Sequence, residues 1–191
     1  MSGSKKLKIV VNAPVVLGFS ALCCIALFLG AITKGFTTTL LFSVYGSSLA
    51  NIFTYFRFFG HVLGHANMEH LVGNLTMILV LGPMLEEKYG SKDLLFVILA
   101  TAFVTGLVNF IFFPKVALLG ASGVVFAFIL LSSITGIKSK EIPLTFIIVA
   151  VIYLGGQIYD GLFVKDNVSQ LTHIVGGLVG AVLGYMGASE K

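Results

Sequence analysis

Two polar side chains interrupt long apolar stretches of this 191-residue chain: Ser122, in Gly120-Ala121-Ser122-Gly123, and His173, in THIVGGLVG. A third polar group, His65, His70 and Asn74, opens another apolar stretch. Polar groups within apolar segments are costly, so each needs a partner or a purpose. Serine with histidine is the pair for nucleophilic acyl transfer. The histidine takes the hydroxyl proton as general base and later returns it to the leaving amine. The tetrahedral oxyanion then needs donors. His65 and Asn74 can supply them, as can the backbone N–H of Ser122 at the positive end of a helix. Each residue also has a plainer role: Ser122 as a helix N-cap, His173 as a hydrogen bonder between helices, and the His65–Asn74 group as a tie between a loop and the bundle.

The elements that position these groups read as membrane helices. Hydrophobic residues make up 57% of the chain and charged ones 10%, against about one quarter charged in soluble domains. Spans of about 20 apolar residues are expected near Val15–Ile32, Leu71–Leu85, Leu94–Phe113, Val116–Ile137, Ile142–Tyr159 and Val168–Met186. The second is short unless its polar start, His65 to His70, lies partly at membrane depth. The expected fold class is an all-α membrane protein: residues 1–191 as a single domain, a six-transmembrane-helix bundle with a short basic N-terminus over 1–13 and a short tail over 187–191. The first apolar run is too long for a signal-peptide core and reads as a retained span.

Lys5, Lys6, Lys8, Lys88, Lys92, Lys138, Lys140 and Lys191 fall on one side of this topology, and Lys34, Arg57, Lys115 and Lys165 on the other. The richer side is expected to be cytoplasmic. The N-terminus is then inside, and spans two, four and six all begin at the external face. His65, His70, Asn74, Ser122 and His173 share that depth, as one site requires. Between Lys34 and His65 the chain is aromatic yet broken by Gly, Ser and Asn, which reads as an embedded external loop with short helical pieces. On the last span His173, Gly177, Gly180 and Gly184 recur on one face, and Gly176, Gly180 and Gly184 form an overlapping small-residue series. Such a face lets span four come close enough for Ser122 to reach His173.

The net charge of +4 fits membrane topology and anionic headgroups, and no basic cluster with interleaved aromatics points to nucleic acid. Cys23 and Cys24 are adjacent in the first span, where packing is the expected role. Asp160 and Asp166 belong to the loop before the last span and Glu69 to the start of the second, so the expectation is a Ser/His dyad without an acid. Cofactors and metals are not expected. A metal-binding or transport protein using His61, His65, His70 and Glu69 is the competing reading, since His61 and His65 stand at i, i+4. It leaves Ser122 and His173 without a role.

HANMEHLVGNL, GASG and THIVGGLVG resemble, in order and spacing, the motifs of the rhomboid intramembrane serine proteases, and LEEKYG resembles that family's Glu-x3-Gly. The resemblance covers about Phe56 to Gly184. It implies Ser122 as nucleophile and His173 as base. His65, Asn74 and the Ser122 backbone would form the oxyanion hole, with His70 structural and Gly120 relieving crowding. Phe126 stands where well-studied members have Tyr, its ring still able to stack on His173, and Phe56-Arg57 stands where many have Trp-Arg. The implied function is endopeptidase cleavage of transmembrane protein substrates near the external face of the plasma (inner) membrane. Membrane lipids surround the bundle, the loop after span one is the lateral loop, and Phe163 caps the cavity as a substrate gate. A catalytically silent rhomboid-like protein that binds clients is the further alternative.

Overall fold

The computed structural model describes residues 9–134, 144–145, 147–149, 151–152, 155 and 170–189. Helix α1 spans Pro14–Ile32, α2 Phe36–Leu41, α3 Ile52–Gly60, α4 Met68–Tyr89, α5 Ser91–Phe112, α6 Ser122–Ile134 and α7 Gln170–Ser189, with a 3-10 turn at His61–Leu63. The architecture is an all-α, multi-pass membrane bundle. α1, α4 and α5 are long and apolar enough to cross a membrane, and α6 and α7 are shorter apolar helices within the described residues. Large apolar side chains such as Phe28, Val80, Phe96 and Phe103 are exposed on the outer faces, where a bilayer makes burial in protein unnecessary.

Helix ends follow local chemistry. Pro14 opens α1, where a missing N–H is harmless. The next N–H groups, of Val15 and Val16, donate to the two carboxylate oxygens of Glu86 at 3.0 Å each. Because Glu86 lies near the end of α4, the two helices run antiparallel. Asn67 caps α4 by accepting the His70 N–H at 2.8 Å, and Gly90, with φ of 89°, turns the chain from α4 into α5. The loop after α1 carries the expected short helical pieces. Buried Arg57 organises it, donating to Tyr45, Ser47 and Thr54 with its guanidinium over the Tyr45 ring.

One boundary departs from expectation. The fourth span was expected from Val116, but the helix begins at Ser122. Leu118 instead exchanges backbone hydrogen bonds with Val44 at 2.9 Å each, and Asn109 of α5 donates to the carbonyls of Val44 and Val116 at 3.1 and 3.0 Å. Apolar sequence alone does not distinguish this pairing from a helical turn. The second span, conversely, is longer than its apolar core: α4 starts at Met68, so His70 and Asn74 are helical. The expected fifth span lies largely outside the described residues; those described there are helical.

Candidate active site

Ser122 is the first helical residue of α6. The cap position falls to Ala121, whose carbonyl accepts the Val125 N–H at 2.9 Å, so the Ser122 side chain is free to leave its own helix. It reaches α7, where Ser122 Oγ lies 2.8 Å from His173 Nε2. Phe126, one turn after Ser122, stacks on the His173 imidazole with centroids 4.9 Å apart and planes 10° from parallel. One helix thus holds both the hydroxyl and the ring that steadies its partner.

The close approach of α6 and α7 explains the reach. A Cβ on Gly176 would lie 2.5 Å from the Gly123 carbonyl oxygen, and one on Gly180 would lie 2.6 Å from Ala127 Cα. At Gly184 the nearest atom is Leu131 Cδ1. Gly177 is also buried, but the register that meets the α6 backbone is the overlapping one of Gly176, Gly180 and Gly184.

Just ahead of Ser122 the backbone of Gly120 has φ of 128°, and its N–H donates to the His61 carbonyl at 2.9 Å. A Cβ there would come 2.7 Å from Cε1 of His70 and 3.7 Å from Nδ2 of Asn74. Glycine is required twice over, by its conformation and by the imidazole lying against it. His70 in turn meets His65 edge to face, with ring centroids 5.0 Å apart. The structure therefore brings the segments carrying His65, His70 and Asn74 to the loop that delivers Ser122.

Two nitrogens of this group have no partner among the described residues: the amide Nδ2 of Asn74 and the ring Nε2 of His65, both buried. The other His65 nitrogen, Nδ1, pairs with the Leu63 carbonyl at 3.1 Å. His65 lies in the loop ahead of α4. Burial, then the neighbouring His70, lowers its pKa to about 4.

His61 and His65 do not share a helix, since Gly64 between them is extended. That removes the i, i+4 geometry behind the metal-binding alternative. The His61 ring pairs instead with the Arg57 carbonyl at 3.2 Å and the Thr105 hydroxyl at 3.3 Å. Phe163, Asp160 and Asp166 lie outside the described residues.

Sequence reasoning missed Asn109, the α5 side chain that pins the strand-like segment before Ser122. Its signal was available: an amide inside a long apolar helix calls for a partner.

The Rhomboid domain profile matches residues 51–190. The chain belongs to the rhomboid family. Relatives include mouse Rhomboid-related protein 2, 34% identical over 142 residues, covering 68% of this chain and 47% of that protein. Arabidopsis thaliana Rhomboid-like protein 11, chloroplastic, is 30% identical over 151 residues, 71% of this chain and 54% of that protein. Rhomboid protease GlpG of Haemophilus influenzae is 27% identical over 134 residues, 68% of each chain. The chain spans about half the length of the first two. As a rhomboid it is a multi-pass integral membrane protein of a family that includes proteases.

Proposed function

We propose that this rhomboid is an intramembrane serine endopeptidase working through a Ser122/His173 dyad. The observation that carries the reading is the 2.8 Å contact between Ser122 Oγ and His173 Nε2 across two helices, with the imidazole stacked on Phe126. A relative named as a protease supports the reaction class. In the proposed mechanism His173 Nε2 accepts the hydroxyl proton as Ser122 Oγ attacks the peptide carbonyl. It then returns that proton to the leaving amine, and water repeats the cycle on the acyl-enzyme.

The negative charge on the carbonyl oxygen is met by the Ser122 backbone N–H at the start of α6 and by Asn74, with His65 beside them. The unpartnered buried Nδ2 of Asn74 favours this assignment, since a buried donor without an acceptor is costly. His70 and Gly120 act as supports, each shaping the other's position.

The proposed substrates are transmembrane segments of other proteins. The carbonyl of an intact helix is already hydrogen-bonded, so substrates that unwind readily, with Gly, Ala or Pro nearby, suit the reaction. Lysine placement supports a cytoplasmic N-terminus and a site facing the outside of the plasma membrane, and Phe163 is the proposed cap over it.

The test is cleavage of a generic transmembrane substrate by protein purified in detergent or liposomes. Wild type would be compared with Ser122→Ala and His173→Ala, each with and without EDTA. Chelator-resistant cleavage lost in both variants is expected. Cleavage that survives Ser122→Ala overturns the assignment.

A further inference from the structure

A cavity of about 800 Å³, lined by neither Ser122 nor His173, lies between α1, α2 and the start of α4. One wall is a single stripe of α1: Cys24, Leu27, Phe28 and Ala31 recur at i, i+3, i+4 and i+7. Lys34 continues the stripe just past the helix end. From Cys24 to Lys34 it runs about 15 Å at 1.5 Å per residue. The facing wall includes Met68 and Leu71 of α4. Since Glu86 near the end of α4 caps the start of α1, Lys34 and the first turn of α4 share one mouth, and Cys24 lies at the far end.

The shape and chemistry select an occupant. Along the α1 stripe the groove is apolar, with Thr38 and Thr39 on the α2 side; at the mouth stand the exposed Lys34 ammonium and the N-terminus of α4, whose first turn also carries Glu69. A protein segment fits poorly. It would bring backbone N–H and C=O groups against the α1 stripe, where Leu27, Phe28 and Ala31 offer them no partner, and a helix with its side chains is about 10 Å across.

We propose that this groove binds one glycerophospholipid. An acyl chain lies along the α1 stripe from Ala31 to Cys24, and the headgroup phosphate sits on Lys34. His65 and Asn67 belong to the same lining, so the bound lipid touches the loop that leads into the candidate active site.

The test is native mass spectrometry of the full chain titrated with phosphatidylglycerol. Wild type is expected to retain one lipid. Ala31→Trp places a bulky ring in the groove from an exposed position and is expected to lower retention at least about tenfold. Lys34→Asn, which tolerates the φ of 53° at that position, is expected to lower it about fivefold, the worth of one basic residue at a lipid headgroup. A second readout uses only wild type. Cys24 is exposed and Cys23 buried, so an apolar maleimide reports on Cys24, and phosphatidylglycerol is expected to slow its reaction. Equal retention by wild type and Ala31→Trp, Cys24 labelling indifferent to the lipid, or a dimer of the chain replacing the lipid-bound monomer would each overturn the proposal.

Discussion

The imidazole of His173 lies nearly parallel to the ring of Phe126, 4.9 Å from it, while its Nε2 meets Ser122 Oγ. Stacking is a positional constraint here: it fixes the ring plane in which Nε2 would accept the Ser122 proton in the proposed dyad. Small errors in such a geometry are expensive, with a 1 Å misplacement able to cost about 100-fold in rate. Phe126→Ala is therefore expected to lower kcat about 10- to 100-fold with little change in KM, and Phe126→Tyr to keep most of the activity. Equal activity of Phe126→Ala and wild type would show that the ring does not position the base.

The glycines of α7 differ in what they face, and that difference is measurable. At Gly180 an added methyl meets the Ala127 backbone; at Gly184 it meets the end of the Leu131 side chain, which can move. Gly180→Ala should push α6 and α7 apart, lengthen the Ser122–His173 contact and lower activity about tenfold or more. Gly184→Ala should be milder. The comparison of cleavage rates and thermal midpoints for the two variants decides it, and a reversed order would mean that the helices do not meet through this register.

Much of this arrangement was legible in the chain before folding. Ser122, His173 and Asn74 are polar residues in apolar surroundings, and hydrophobic runs locate α1 and α5 to within a few residues. Less legible was anything set by contacts distant in sequence. Val116 to Ala121 is apolar enough to continue a helix, and pairing of Leu118 with Val44, the Asn109 amide and the Gly120 N–H on the His61 carbonyl hold it out of one. The choice between Gly177 and Gly176 as the close-packed residue turns on helix rotation, which two overlapping glycine series leave open. His61 and His65 have helical spacing, yet Gly64 breaks the helix between them.

Gly120 tests whether backbone and side-chain constraints are separable. Its φ of 128° is a conformation that residues with a Cβ rarely adopt, costing about 1–3 kcal/mol where it is forced. A methyl there would also strike the His70 ring. Gly120→Ala should lower the thermal midpoint and abolish cleavage. Adding His70→Ala should recover the steric part but not the conformational part. The double variant is thus expected to be more stable than the sum of the two single changes implies; strict additivity would mean that the ring is not what the methyl meets.

His65 and Asn74 should not contribute equally to an oxyanion hole. If His65 Nδ1 carries the proton donated to Leu63, a neutral ring has only a lone pair at Nε2. Donation from Nε2 then requires a second proton, which burial opposes. Asn74 donates in any state. Asn74→Ala is expected to lower kcat by about 10²–10³-fold, and His65→Ala by clearly less at neutral pH. Measured kcat values in the opposite order would assign the Nε2 proton to resting His65.

The same histidine predicts a pH dependence of stability. Folding lowers its pKa from the ordinary value of about 6.5 to about 4, chiefly by burial and then by His70. Between these values the unfolded state binds more protons than the folded one, so stability rises with pH across the window and falls on acidification through it. The loss begins near pH 6.5 and levels off near pH 4. Buried His61, shifted in the same direction, adds a background of the same sign that persists when His65 is replaced. His65→Gln removes one titrating group from the comparison. Thermal midpoints of wild type and His65→Gln measured from pH 7.5 to 4.5 are therefore expected to diverge below pH 6.5, with wild type falling more steeply. Parallel curves would mean that His65 titrates alike in both states and is not buried as a neutral ring.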